Sequence, residues 1–278
     1  SHTVLLWLWA IGGLLATCGA LTLAELAAAM PRVGGEYVYV RAAFGPSSAF
    51  AYGAATATLA FAAPIAVIAH ATVAYLAAAA HTLDSGSGLT TFLAQTWAQP
   101  LVASALIVAV SAMHIRGQRE SAWLQGVTTL FKLVTLLGIA VVGLCCGEGQ
   151  MEHFATGRTW SEQSPGVLAV ALLQVAYAYS GWNGAAYLAG EIRSPQRRLP
   201  LCLVGGCLLV TALYALMNVA YGYALDPRSL AGLPEGEVER IAETAATRLF
   251  GRSTGGVLSL VIGVGLLASL SAFILTGP

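Results

Sequence analysis

The sequence predicts an all-α polytopic membrane protein, and three observations carry that reading. Only 9% of the 278 residues are charged and 57% are hydrophobic, with a mean hydropathy of +0.74. A soluble domain carries about 25% charged residues, so this chain cannot clothe a water-facing surface. The apolar residues fall in long unbroken runs, whereas a membrane β-barrel alternates apolar and polar residues over segments of about ten. Lysine plus arginine number 13 and aspartate plus glutamate 13, so no basic excess is offered to nucleic acid. An ordinary soluble enzyme, a disordered chain and a nucleic-acid binder are all excluded.

A spanning helix needs about 20 mostly apolar residues. Seven segments qualify: roughly 4–29, 47–80, 99–115, 121–146, 165–190, 201–225 and 255–277. The second is long enough to tilt strongly or to leave the bilayer. The connections alternate in charge. The set 30–46, 116–120 and 191–200 holds seven arginines against three acids, and the set 81–98, 147–164 and 226–254 holds five against nine. The positive-inside rule counts only the basic residues, so the first set is read as cytoplasmic. Residue 1 then lies on the outer side and residue 278 on the inner side. The start at Ser1-His2-Thr3 enters an apolar run directly, with no basic leader and no cleavage site. A chain truncated at both ends is expected. Five cysteines, Cys18, Cys145, Cys146, Cys202 and Cys207, lie in or beside apolar segments and none forms a CxxC pair. They read as small apolar residues without a disulfide.

Segment 165–190 is the most informative. It contains Gln174-Val175-Ala176-Tyr177-Ala178-Tyr179-Ser180-Gly181-Trp182-Asn183-Gly184, polar and aromatic residues gathered at mid-depth. Ser-Gly and Asn-Gly pairs permit kinks, and backbone freed at membrane depth is tolerated only inside protein or beside a cavity. Secondary transporters use such breaks to bind charged groups of a small solute. The plainer alternative is a helix–helix contact built on small residues. Trp182, Tyr177 and Tyr179 stand too deep for an interfacial belt, which leaves a gate over a cavity or core packing open. Lys132 lies about eleven residues into segment 121–146. An ionisable group there is expensive and faces the bundle or a cavity, making it a candidate proton carrier or fixed cation. The alternative is a lysine snorkelling from a shifted helix start. His70 reads as a satisfied interior contact, and Glu25 as an interfacial carboxylate beside an arginine. His81, His114 and His153, near interfaces or in loops, carry little information. No metal-ligand spacing, nucleophile–base pair or phosphate-binding glycine loop is present, so no cofactor is expected and an intramembrane enzyme is disfavoured.

Three stretches then resemble a known family. Met30-Pro31-Arg32-Val33-Gly34-Gly35-Glu36-Tyr37-Val38-Tyr39-Val40, with Phe44-Gly45-Pro46, resembles an amphipathic inner loop. Tyr179-Ser180-Gly181-Trp182-Asn183, followed by Gly190-Glu191-Ile192-Arg193-Ser194-Pro195, resembles a broken sixth span and the loop behind it. Ala268–Pro278 resembles most of an eighth span. The family is the amino acid–polyamine–organocation superfamily, specifically bacterial permeases similar to the L-type amino acid transporters.

The resemblance implies two inverted five-helix repeats, of which this chain holds spans two to eight. Segments 4–29 and 201–225 would be symmetry mates, as would 47–80 and 255–277. The first span, which carries half of the family's substrate site, would lie outside this sequence. It further implies that carbonyls around Tyr177, Ala178 and Ser180 take the substrate ammonium, that Tyr177 covers the substrate, and that Gly181 supplies the break. Tyr179 belongs to the same stretch, Trp182 and Asn183 lie beside the substrate or wall its pocket, and Phe61 touches the substrate side chain. Lys132 matches a fifth-span lysine that stands in place of a sodium ion, with Ser271 as a hydroxyl neighbour. Transport would be sodium-independent: exchange, facilitated diffusion or proton-coupled. Loop 81–98 holds no cysteine, so no disulfide-linked heavy chain is expected. The resulting expectation is an amino acid permease of the bacterial inner membrane, with an amino acid substrate and the lipid bilayer as its partners. The rivals are a seven-span sensor that binds an amino acid without moving it, a structural subunit and a non-functional fragment.

Overall fold

The computed structural model describes residues 1–83, 87–93, 95–116, 118–155, 157, 159–187, 189, 192, 194–226, 241–250 and 255–276. Among them the regular structure is entirely helical. The elements are α1 (His2–Ala29), α2 (Glu36–Ala55), a π-helix (Thr56–Ala62), α3 (Ala63–Leu83), α4 (Gly88–Leu93), α5 (Ala98–Arg116) and α6 (Gln118–Cys146). Two 3₁₀ turns (Met151–Phe154 and Trp160–Glu162) follow, then α7 (Pro165–Ala178), α8 (Gly184–Tyr187), α9 (Pro195–Ala224), α10 (Ile241–Phe250) and α11 (Gly255–Thr276).

Among the described residues, six helical stretches are long and apolar enough to cross a bilayer: His2–Ala29, Glu36–Thr82, Ala98–Ile115, Gln125–Cys146, Pro195–Ala224 and Gly256–Thr276. Segment 165–190 contains only the apolar helix Pro165–Ala178 before its helix is interrupted. Large apolar side chains such as Leu14, Leu59, Val108, Leu173 and Leu209 stand exposed. So broad an apolar exterior suits a lipid solvent rather than water. The chain is a multi-pass α-helical membrane protein.

The chain packs as two compact units, residues 1–54 with 150–233 and residues 55–149 with 234–278. In the first, α1 lies along α9. Small residues on one face of α1 permit this approach. A Cβ on Gly13 would come within 2.5 Å of Thr211, and Cys207 Sγ reaches the Ala16 carbonyl at 3.9 Å. Ala20 and Ala24 pack with Leu203 and Cys207. Helix α1 stops at Met30 because Pro31 follows: proline offers no N–H and drives the residue before it out of the helical region, here to φ −127° and ψ 70°. Pro195 opens α9 at its first turn, where no donor is required. Helix α2 is interrupted at Gly45, with φ +85° and ψ 177°, immediately before Pro46.

In the second unit, α11 lies along α3 and also meets α5, α6 and α10. Gly263 sits against Leu76, where an added Cβ would fall 2.9 Å from the leucine side chain. Leu270 is fully buried among Ala69, Val73, Ala103 and Val110. The π-helix ends as the Ala63 N–H bonds the Thr58 carbonyl, one residue beyond α-helical reach, just before Pro64. A proline disrupts the α-helical ladder ahead of it, and π-turns of this kind commonly mark functional positions.

Candidate functional site

Most of the residues singled out in the sequence lie where α7 gives way to α8, inside the first unit. Ser164 caps α7 and Pro165 occupies its first turn. The helix runs to Ala178. The Tyr179 N–H still bonds the Val175 carbonyl at 3.1 Å, but the Ser180 N–H turns back to Tyr177 O at 3.0 Å. Gly181 then adopts φ +93°. A Cβ there would meet nothing within 4 Å, so backbone conformation rather than space demands glycine. The Gly184 N–H bonds Gly181 O at 3.1 Å and the Ala186 N–H bonds Asn183 O at 2.9 Å, opening α8. Residues 179–183 are therefore a turn between two helical pieces.

The two tyrosines part company. Tyr177 is 61% exposed and Tyr179 only 5%. Tyr179 donates its hydroxyl to the Trp9 carbonyl at 3.0 Å and forms an aromatic cluster with Trp9 and Tyr214, ring centres 4.9–5.7 Å apart. Tyr214 donates to the Ala178 carbonyl at 3.0 Å. The Tyr177 carbonyl accepts from the Ser180 N–H and the Ala178 carbonyl from the Tyr214 hydroxyl; both stand at the end of the helical ladder, where carbonyl oxygens are available to other donors. Ser180 and Gly181 are exposed at the turn. Trp182 packs against α1, where a Cβ on Gly19 would fall 2.9 Å from its ring. Its contacts join three buried clusters, so its surroundings are core packing on α1. Asn183 donates Nδ2 to Glu36 Oε1 at 2.6 Å. The Tyr187 hydroxyl donates to the other oxygen of the same carboxylate.

The remaining candidates belong to the second unit. Phe61 lies in the π-helix and meets Phe273 edge-on, ring centres 6.5 Å apart. Lys132 lays its stem across α11 at Gly265, where a Cβ would stand 3.3 Å from Lys132 Cδ. Its Nζ donates to Ser269 Oγ at 2.7 Å. Ser271 instead bonds His114 Nε2 at 2.9 Å. The hydroxyl neighbour expected for Lys132 was Ser271, yet its bond goes to Ser269. The reason is helical geometry: two residues along an α-helix is a rotation of about 200°, so one amine cannot lie against both faces. Sequence reasoning passed over Ser269, His114 and Glu36. A second hydroxyl two residues from Ser271 was the available signal for Ser269; nothing local marked the other two. His153, also set aside, bonds the Tyr223 carbonyl at 3.1 Å. Among the described residues, no group of three or more His, Cys, Asp or Glu is gathered as a metal site requires.

The break supplies backbone oxygens with an exposed aromatic ring beside them; the second unit separately carries an amine held on α11. Residues 1–277 match the family described as "Amino acid permease". The chain is 30% identical over 273 residues to the serine/threonine exchanger SteT of Bacillus subtilis (strain 168), covering 98% of this chain and 58% of that protein. It is 32% identical over 224 residues to the b(0,+)-type amino acid transporter 1 of Mus musculus, covering 80% and 44% respectively. With the Asc-type amino acid transporter 1 of Homo sapiens it shares 28% identity over 272 residues, 96% of this chain and 48% of that one. These relatives are named transporters and exchangers rather than enzymes, and the chain spans about half of their length. A helix broken at 179–183 and a match along nearly the whole sequence agree: the chain belongs to the amino acid permease family.

Proposed function

We propose that the protein of which this chain is part is a secondary transporter that carries amino acids across the bacterial inner membrane by alternating access. The observation that carries this reading is the interruption at 179–183. Backbone polar groups leave the helical ladder there inside an otherwise apolar segment, which is tolerated beside a polar solute path and is a recurring solution for binding a charged solute at mid-membrane. The carbonyls near Tyr177, Ala178 and Ser180 would accept the substrate ammonium. Tyr177, exposed next to them, would cover the solute, while Gly181 provides the turn. Phe61, on its π-turn, would meet the substrate side chain. Trp182 and Asn183 would act from behind the site, through their contacts with α1 and Glu36.

Transport in this reading is independent of sodium. Lys132 places a cationic group against α11 through Ser269, and that fixed charge would serve where another transporter needs a metal cation. Ser271 contributes a hydroxyl on the same helix, held by His114. Exchange is the favoured mode, and L-serine and L-threonine are the first substrates to try, because a relative covered along 98% of this chain bears the name of a serine/threonine exchanger. The arginine-rich loops would face the cytoplasm, and no disulfide-linked heavy chain would be needed.

Uptake of labelled L-serine and L-threonine by proteoliposomes holding the complete protein, with sodium replaced by choline, tests the proposal. Saturable uptake of the same size in both salts is expected. Binding without flux would indicate a sensor, and flux that collapses in choline would refute the role given to Lys132.

A further inference from the structure

The two helical pieces on either side of the break are anchored to different parts of the first unit. The α7 side is tied to α1 and α9 through Tyr179 on the Trp9 carbonyl and Tyr214 on the Ala178 carbonyl. The α8 side is tied to the start of α2. Both oxygens of the Glu36 carboxylate are engaged there, one by Asn183 Nδ2 at 2.6 Å and one by the Tyr187 hydroxyl. The backbone ahead of Glu36 is shaped for this contact: Gly35 has φ +49° and an added Cβ would fall 2.8 Å from the Tyr187 ring. Apolar packing continues the joint, with Tyr39 buried against Ala186, Ala189 and Leu199. Between the two anchors the backbone turns at Gly181, whose φ of +93° a side chain would strain.

We propose that Glu36 is a positioning residue for the broken helix: its carboxylate latches the second helical piece to the start of α2 and so fixes the geometry of the carbonyls at the break. A carboxylate receiving two hydrogen bonds is a strong and directional joint. Both donors are neutral, so opening the joint separates no opposite charges, and it can release without leaving a stranded cation. The consequence for substrate affinity rests on the transport reading above; the latch itself does not. A site whose competent geometry is populated only part of the time binds more weakly by that fraction.

Hydrogen exchange measured on the complete protein in detergent micelles tests the latch without any substrate. In Glu36→Ala, amides in 179–187 should exchange about tenfold faster or more, the equivalent of losing a charge-assisted bond, while those in α3 and α11 keep their wild-type rates. Unchanged exchange over 179–187 would overturn the proposal. If Glu36→Ala loosens the whole protein, Tyr187→Phe keeps the ring and removes one bond, and faster exchange confined to 179–187 is then required. In uptake assays with labelled L-serine, Tyr187→Phe should raise KM several-fold while leaving maximal rate per folded protein unchanged. A fall in maximal rate with KM unaltered would contradict a positioning role. Absence of L-serine uptake by the wild type would count against the transport reading and leave the exchange result to decide the latch.

Discussion

Lys132 and Gly181 carry the two most exacting demands on single side chains. Lys132 is an amine within an apolar helix, held by one serine hydroxyl at 2.7 Å. Such a group is retained at a cost to insertion, so its removal should spare folding and harm function. Lys132→Ala in the complete protein is expected to cut amino acid uptake at least about tenfold, roughly the loss of one charged-group hydrogen bond, with little change in thermal unfolding temperature. Unaltered uptake across about pH 5 to 8, the range in which transport proton coupling is read, would remove Lys132 from the mechanism. Gly181→Ala meets no steric neighbour, so its penalty is conformational, about 1 kcal/mol, and should appear as a modest loss of stability with a larger loss of uptake. Both residues were visible in the sequence because each breaks a local rule: a charge in an apolar run, and glycine beside serine and asparagine at mid-depth. Glu36 and His114 broke no such rule. Their roles come from partners 147 and 157 positions away, and pairings at that separation leave no periodic trace.

Among the helices, α1 with α9 and α3 with α11 show how small residues decide packing. Gly13 lies so close to Thr211 that a Cβ would fall within 2.5 Å, and the ridge continues through Ala16, Ala20 and Ala24. Gly13→Leu should push the helices apart and destabilise the protein by about 1–3 kcal/mol, as overpacking generally does, measured as a lower unfolding temperature in detergent. Leu14→Ala, one residue on and exposed, should leave it nearly unchanged. Hydropathy marks the apolar stretches, and α1, α9 and α11 overlap the ranges 4–29, 201–225 and 255–277. Their ends were set by chemistry that hydropathy does not register: Pro31 stopping α1, Pro195 starting α9 well before residue 201, and the polar turn ending α7 at Ala178. Gly45-Pro46, quoted for its resemblance, proved to be an interruption of α2. The π-turn around Phe61 was invisible, since extra-residue turns carry no sequence periodicity of their own.

For the whole molecule, composition alone fixed the membrane class, and an exterior of exposed leucine, valine and phenylalanine bears that out. Division into two compact units was not foreseeable, because it depends on which helices pair, and each pair joins elements far apart in sequence. Helices α1 and α9 pack together within the first unit, and α3 and α11 within the second. The transport reading concerns the complete protein, because the chain spans about half the length of the relatives it matches.

An amino acid bound at the break would shield residue 180 from water. A single cysteine placed at Ser180 in the complete protein, after replacing Cys18, Cys145, Cys146, Cys202 and Cys207 with serine or alanine, reads that shielding. The rate of labelling by a small thiol reagent is then measured with and without L-serine, L-threonine and a wider amino acid panel. A transported amino acid should slow labelling at position 180 and leave a control cysteine at Ser161, exposed in the 3₁₀ turn Trp160–Glu162, unaffected. Equal labelling with and without every amino acid that the same variant still takes up would place the substrate elsewhere.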